Sequence, residues 1–183
     1  MTEINGKLVI APPSLKGTFW TNSVIFIIEQ DKEGTVGLVI NKQSDMSIKT
    51  FGEYCDCELD HEDQLYVGGP TNTKILTMLH SAEWKCDNTL TLNKDFAISS
   101  SDQILEKIAA NDLPKKWRLF VGLTTWPAGE LEEEIFGDLQ DDRCQNWLLA
   151  TPTHKTVFGE DAKKQWLSAI TQASSEFCQQ ILA

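Results

Sequence analysis

Two apolar runs placed close together constrain this chain more than any other feature. Residues 24–28 read Val-Ile-Phe-Ile-Ile and residues 35–40 read Thr-Val-Gly-Leu-Val-Ile, without the polar alternation of a strand that has one wet face. Residues 30–34 between them hold Asp31 and Gly34, both turn formers. The spacing predicts a β-hairpin buried on both faces, so the rest of the chain has to cover it twice. Gly37, inside the second run, has no side chain to pack and signals a bulge or a close backbone neighbour. Residues 8–11 form a third apolar strand, stopped by Pro12 and Pro13, which cannot donate ladder hydrogen bonds.

Covering elements are readable from periodicity. Ile104, Leu105, Ile108 and Ala109 repeat at helical spacing, with Ser100 or Ser101 as N-cap and Pro114 beyond the end. Residues 117–123 and 147–150 read as strands. Leu131, Ile135 and Leu139 place an apolar stripe along an acidic helix. From about residue 160, Trp166, Leu167, Ile170, Ala173 and Phe177 mark a closing amphipathic helix. In the middle, residues 53–63 carry six carboxylates and no Lys or Arg, the composition of a solvated loop. Residues 65–67 lead into Gly68, Gly69 and Pro70, where the backbone must turn sharply or approach something closely. Residues 75–79 fit strand or helix equally, and residues 89–92 read as a strand followed by a turn over 93–96. Strands dominate the first half and mix with helices afterwards, without regular βαβα alternation, which predicts an α+β fold. At 183 residues and 41% hydrophobic content, one domain spanning the whole chain is expected.

Charge narrows the partners. Asp and Glu number 27 against 16 Lys and Arg, a net charge of −11. That field repels nucleic-acid phosphates, and the densest basic stretch, residues 115–118, is four residues long, so direct nucleic-acid binding is disfavoured. The first residues lack the basic and apolar regions of a secretory signal, and no segment approaches the length of a membrane span. A cytoplasmic protein without membrane attachment is expected. The five cysteines are an odd set with no export signal, which predicts free thiols.

Each candidate for chemistry has a structural competitor. Cys55, Cys57 and His61 are zinc-type ligands, but Cys-x-Cys with one His supplies at most three, so an acidic loop with two incidental thiols is favoured and no cofactor is expected. The surrounding carboxylates raise thiol pKa values and oppose redox use. Glu130, Glu132, Glu133, Glu134, Asp138, Asp141 and Asp142 crowd one segment. Paired carboxylates serve acid–base chemistry or hard cations, yet on a helix with the Leu131 stripe most would point to water. Nucleophile-elbow, P-loop, dinucleotide and zinc-protease motifs are all missing. His80 reads as a partly buried, hydrogen-bonded residue, and an enzyme would need to assemble a site around His80 with Asn41 or a carboxylate such as Glu130. The tryptophans read as core or surface anchors.

Several stretches in order resemble one family. They are Pro13-Ser14-Leu15, Phe19, Ser23-Val24, residues 33–41 (Glu-Gly-Thr-Val-Gly-Leu-Val-Ile-Asn), Gly68-Gly69-Pro70, Leu79-His80-Ser81, residues 122–132 and Asn146-Trp147-Leu148. Together, from about Lys7 to Leu167, they are similar to the AlgH/YqgE family of bacterial proteins. Thr124, Thr125 and Pro127 depart from its pattern, and the acidic cysteine loop has no counterpart in it. The resemblance implies an α+β fold with a strongly bent, partly split mixed β-sheet flanked by helices. It implies no established activity, and some members are labelled transcriptional regulators of alginate synthesis. The expectation is a non-enzymatic binding or regulatory protein acting through a protein partner, with Asn41, Gly68, Gly69, Pro70, His80, Trp126, Gly129 and Glu130 as its candidate surface.

Overall fold

The predicted hairpin is present in the computed structural model, which describes residues 4–100, 103–137, 146–159 and 161–182. In chain order the strands and helices are β1 (Leu8–Ile10), β2 (Val24–Gln30), β3 (Gly34–Val39), β4 (Gln43–Ser47), α1 (Ile48–Tyr54), β5 (Gln64–Val67), β6 (Thr71–Ser81) and β7 (Thr89–Thr91). They continue with β8 (Phe96–Ser99), α2 (Ile104–Ala109), β9 (Trp117–Pro127), α3 (Glu130–Phe136), β10 (Leu148–Ala150) and α4 (Ala162–Leu182). The class is α+β, as the pattern predicts. Contacts divide the chain into two compact units, residues 1–41 with 124–183, and residues 42–123.

In the first unit, β10, β1, β2, β3 and the last residues of β9 pair antiparallel in that order. Alternation sends Val9, Ile25, Ile27 and Val39 to one face, where they form a core with Trp126, Trp147 and Leu131 of α3, and Ile135 packs against it. Leu8, Ile10, Phe26 and Leu38 point to the opposite face and are equally buried. α4 packs on β1, β2 and β10. Of the two alternatives for Gly37, a bulge or a close backbone neighbour, the bulge is present, and the close neighbours are side chains instead of backbone. The register of β2 steps between Ile27 and Glu29 opposite it, and a Cβ at Gly37 would lie 2.7 Å from Ile25 and 3.2 Å from Trp126. The closing helix forms, but Leu167 and Phe177 do not belong to its packed face. That face is Ala162, Gln165, Ala169 and Ala173, whose small side chains let the helix lie close to the sheet. Gln165 donates to the carbonyls of Thr156 and Val157 and closes the preceding turn.

The second unit pairs β9 with β5 in parallel and with β6 antiparallel, followed by β8 and β7. Its core gathers Ile48, Leu59, Leu65, Met78, Ile104, Ile108 and Leu119. The ambiguous stretch at 75–79 is strand. A helix precedes the acidic loop where periodicity suggests none: the Ser47 hydroxyl accepts from the Thr50 N–H and starts α1, which buries only Ile48 and Gly52. Asn93 makes the expected turn by accepting from the N–H groups of Asp95 and Phe96, and β8, unforeseen, follows it directly. α2 begins after Gln103 with no side-chain cap, so Ser100 does not cap it. Ser101 and Leu139 lie outside the described residues.

The sharp turn at Gly68-Gly69-Pro70 is a close approach whose other partner is Gly122. Gly68 donates to the Val121 carbonyl, and a Cβ on Gly122 would stand 2.6 Å from the Gly69 oxygen at a φ of +77°. Gly129 has the same backbone sign, φ +81°, but open space around it. Gly129→Ala should therefore cost about 1 kcal/mol for the left-handed backbone alone, and Gly122→Ala at least about 2 kcal/mol more. Urea unfolding of both variants checks this, and equal losses would contradict the close approach.

Candidate binding groove

Among the described residues β10 is an edge strand, and its register decides which groups it displays. Lys7 accepts from the Ile27 N–H and Ala11 donates to the Ser23 carbonyl, so odd-numbered residues of the first strand bond to β2. Leu8 and Ile10 then face β10, where they pair with Ala150 and Leu148. Leu149 is left with its backbone N–H and C=O pointing away from β1. Thr151, with the same parity, has both groups taken by α4: its N–H donates to the Glu176 carboxylate (3.0 Å) and its C=O accepts from Gln172 Nε2 (2.6 Å). Side chains of α4 thus end the open edge at Thr151.

Beside this edge lies a groove of about 650 Å³. Ile135 and Phe136 of α3, Trp147 and Leu149 around β10, and Ala173 and Phe177 of α4 supply its apolar lining, with Lys7 and Glu176 among the polar residues. Phe136 is 52% exposed and Phe177 63%, so each leaves most of a ring in water. Sequence reading missed this site because each member looks like ordinary core. The one available signal is that α4 carries two apolar stripes, Ala162, Ala169 and Ala173 on one side and Leu167, Ile170 and Phe177 on another, when one stripe suffices for packing.

The carboxylates of α3 divide. Glu130 and Glu133 are exposed, as the periodicity implies. Glu134 is half-buried, which pushes its pKa above the ordinary value, while Trp147 Nε1 donates to it at 2.8 Å. Glu132 accepts from Gln30 Nε2 at 2.5 Å, and its second oxygen is buried without a partner. Asp138, Asp141 and Asp142 lie outside the described residues.

The structure gives the remaining sequence candidates local roles within their own units. In the first, the Asn41 side chain accepts from the Val24 N–H and donates to the Asn22 carbonyl, locking the hairpin's open end. Trp126 is buried and stacks on Trp20 at 5.7 Å, and Trp20 meets Trp147 edge-on at the same distance. Gly129 supplies the left-handed turn into α3. In the second unit, Gly68 and Gly69 are buried and Pro70 is exposed. Cys55 and Cys57 both donate their N–H groups to the Gly52 carbonyl, and the His61 ring packs edge-on against Trp117. Cys55, Cys57, Cys86 and Cys178 are free, and no three metal-type ligands come together among the described residues.

His80 is fully buried. Its Nδ1 lies 3.0 Å from the Ser81 carbonyl, which only accepts, so Nδ1 carries the proton and Nε2 takes the Ser99 hydroxyl at 2.9 Å. Ser99 is itself buried and bonded to Thr89 at 2.8 Å. The nearby carboxylate is Glu83, exposed and bonded to the Ser81 hydroxyl and the Lys115 N–H. Desolvation, the largest influence on Glu83, raises its pKa, but these hydrogen bonds outweigh it and hold the group below its ordinary value. None of the sequence-derived candidates lines the groove.

Fold and groove together define an α+β protein with an apolar recess at a sheet edge, and no described helix is long and apolar enough to cross a membrane. The chain belongs to the DUF179, AlgH-like family, whose model matches residues 8–177. It is 30% identical to the UPF0301 protein GOX1459 of Gluconobacter oxydans over 91% of this chain and 89% of that one. It is 27% identical to a UPF0301 protein of Shewanella frigidimarina over 98% and 96%. The solution structure of AlgH from Pseudomonas aeruginosa superposes with a TM-score of 0.76 at 25% identity, covering 93% of this chain and 89% of that one.

Burial depresses the His80 pKa below 6.5. The unfolded chain then takes up the proton first, so this group leaves stability unchanged above about pH 6.5 and lowers it as pH falls from there toward the folded value. The urea midpoint should drop as the pH falls below about 6.5, and His80→Gln should flatten that part of the curve. An unchanged slope in the variant would show that other groups carry the dependence.

Proposed function

We propose that this chain is a non-enzymatic binding protein whose groove beside β10 takes an apolar, extended segment of a protein partner. The observation that carries this reading is the groove itself: an apolar recess rimmed by two exposed phenylalanines next to a strand edge where, among the described residues, no strand pairs with the outward side of Leu149. An extended segment there satisfies the outward backbone groups of Leu149 and lays alternate side chains against the groove. The same face is uncharged between Lys7 and Glu176, and the net charge of −11 favours a protein partner over nucleic acid. A regulatory role in the cytoplasm, exerted through that partner, follows from this reading.

Capture from the native cell extract at moderate salt, with proteins and small molecules both identified by mass spectrometry, tests it. A protein partner recovered with the native chain should fall at least about tenfold with Phe136→Glu and stay unchanged with the exposed Glu130→Ala. A retained metabolite with no protein partner would overturn this reading and favour an enzyme.

A further inference from the structure

α4 has more apolar surface than its packing uses. Its 21 residues extend over about 31 Å. To one side of the small buried face, Leu167, Phe177 and Ile181 are 63%, 63% and 66% exposed, with Ile170 half-buried and Ser174 exposed between them. Positions 167, 170, 174, 177 and 181 follow at steps of three, four, three and four, a single seam lying about 110° around the helix from the buried face. No charged residue stands at these five positions, nor beside them at Thr171 and Cys178, and the line reaches its first charge at Lys163, one turn before Leu167.

We propose that the seam is a self-association face, on which the α4 of a second copy of this chain packs antiparallel. The pattern of large and small residues selects that occupant and that direction. In an antiparallel pair Ile170 faces Ile181 of the other copy and Ser174 faces Phe177, and the two-fold axis repeats both layers. The exposed Phe177 ring then fills the space left by a serine, large against small. Parallel pairing would put Phe177 on Phe177 and Ser174 on Ser174, crowding one layer and emptying the next. Charge points the same way. Two copies each carrying −11 repel over most of their surface, and the uncharged seam offers close contact without adding to that repulsion. Four layers on one helix fall short of the roughly 1,600 Å² of a standard stable interface, so the dimer forms with rising concentration and is not obligate.

Sedimentation equilibrium of the full chain in reducing buffer tests this. The mass should rise from 20.6 kDa toward twice that value between about 5 and 500 µM. Raising salt should strengthen association by screening the repulsion, whereas a charge-driven contact would weaken. Ile181→Glu should remain monomeric. Ser174→Trp should weaken the dimer at least about tenfold by occupying the place of the incoming Phe177, while Ser174→Ala keeps it. These side chains are exposed, and circular dichroism confirms that each variant stays folded. Phe136→Glu, which alters the groove but not the seam, should dimerise like the native chain, which separates this inference from the partner-binding proposal. A native chain that stays at 20.6 kDa throughout, an Ile181→Glu variant that dimerises normally, or equal behaviour of the two Ser174 variants would each overturn it.

Discussion

A hairpin with no wet face has to be covered from both sides, and the first unit is organised around that demand. Val9, Ile25, Ile27 and Val39 are covered by α3 and by Trp126 and Trp147. The alternate residues Leu8, Ile10, Phe26 and Leu38 are equally removed from water, and α4 packs across β1, β2 and β10. Each cover makes its own condition. Trp126 reaches across the sheet because Gly37 carries no Cβ, which would lie 3.2 Å from the indole. α4 lies close because its packed face is alanine. Among the described residues, covering both faces leaves the edge of β10 uncovered, and the groove is there.

The parts of this arrangement that were legible in the sequence are those with strong local periodicity. The hairpin, β1, α3, β10 and α4 follow from runs and repeats that have few alternative readings. α1 was invisible because it is seven residues long, buries only Ile48 and Gly52, and is nucleated by one serine hydroxyl. β6 was ambiguous because residues 71–75 are mostly exposed and polar, so only its second half shows apolar patterning. β8 was lost in the turn that precedes it. Ser100 has the chemistry of an N-cap, but the helix starts later, and cap propensity has no control over where the chain bends.

The groove was less legible than the fold for a related reason. Phe136, Trp147, Leu149 and Phe177 are apolar residues at positions where apolar residues are expected, and only tertiary placement shows that two of them are exposed. His80, Trp126 and Asn41 show the converse. Polar or aromatic residues beside glycine-rich turns attract functional readings. Here the His80 ring nitrogens are both engaged, Trp126 fills the core, and both ends of the Asn41 amide bond to backbone. Glu132 and Glu134 show a third case: helical periodicity assigns acids to water, yet Trp147 and Gln30 draw these two inward by supplying donors.

The inverted distribution on α4 joins these points. A helix that only had to cover a sheet would turn its largest apolar residues inward, where about 25 cal/mol is gained for each Å² removed from water. This one buries Ala169 and Ala173 and leaves Leu167, Phe177 and Ile181 outside. Close approach to β1 and β2 explains the alanines, since a leucine at either position would push the helix off the sheet. It does not explain why the outer seam holds leucine, isoleucine and phenylalanine instead of the lysine and glutamate that suit an exposed helix. Exposed seam and open groove share Ser174 and Phe177. Two overlapping departures from a solvated surface therefore meet on the same turn of one helix, and contact with another polypeptide accounts for both.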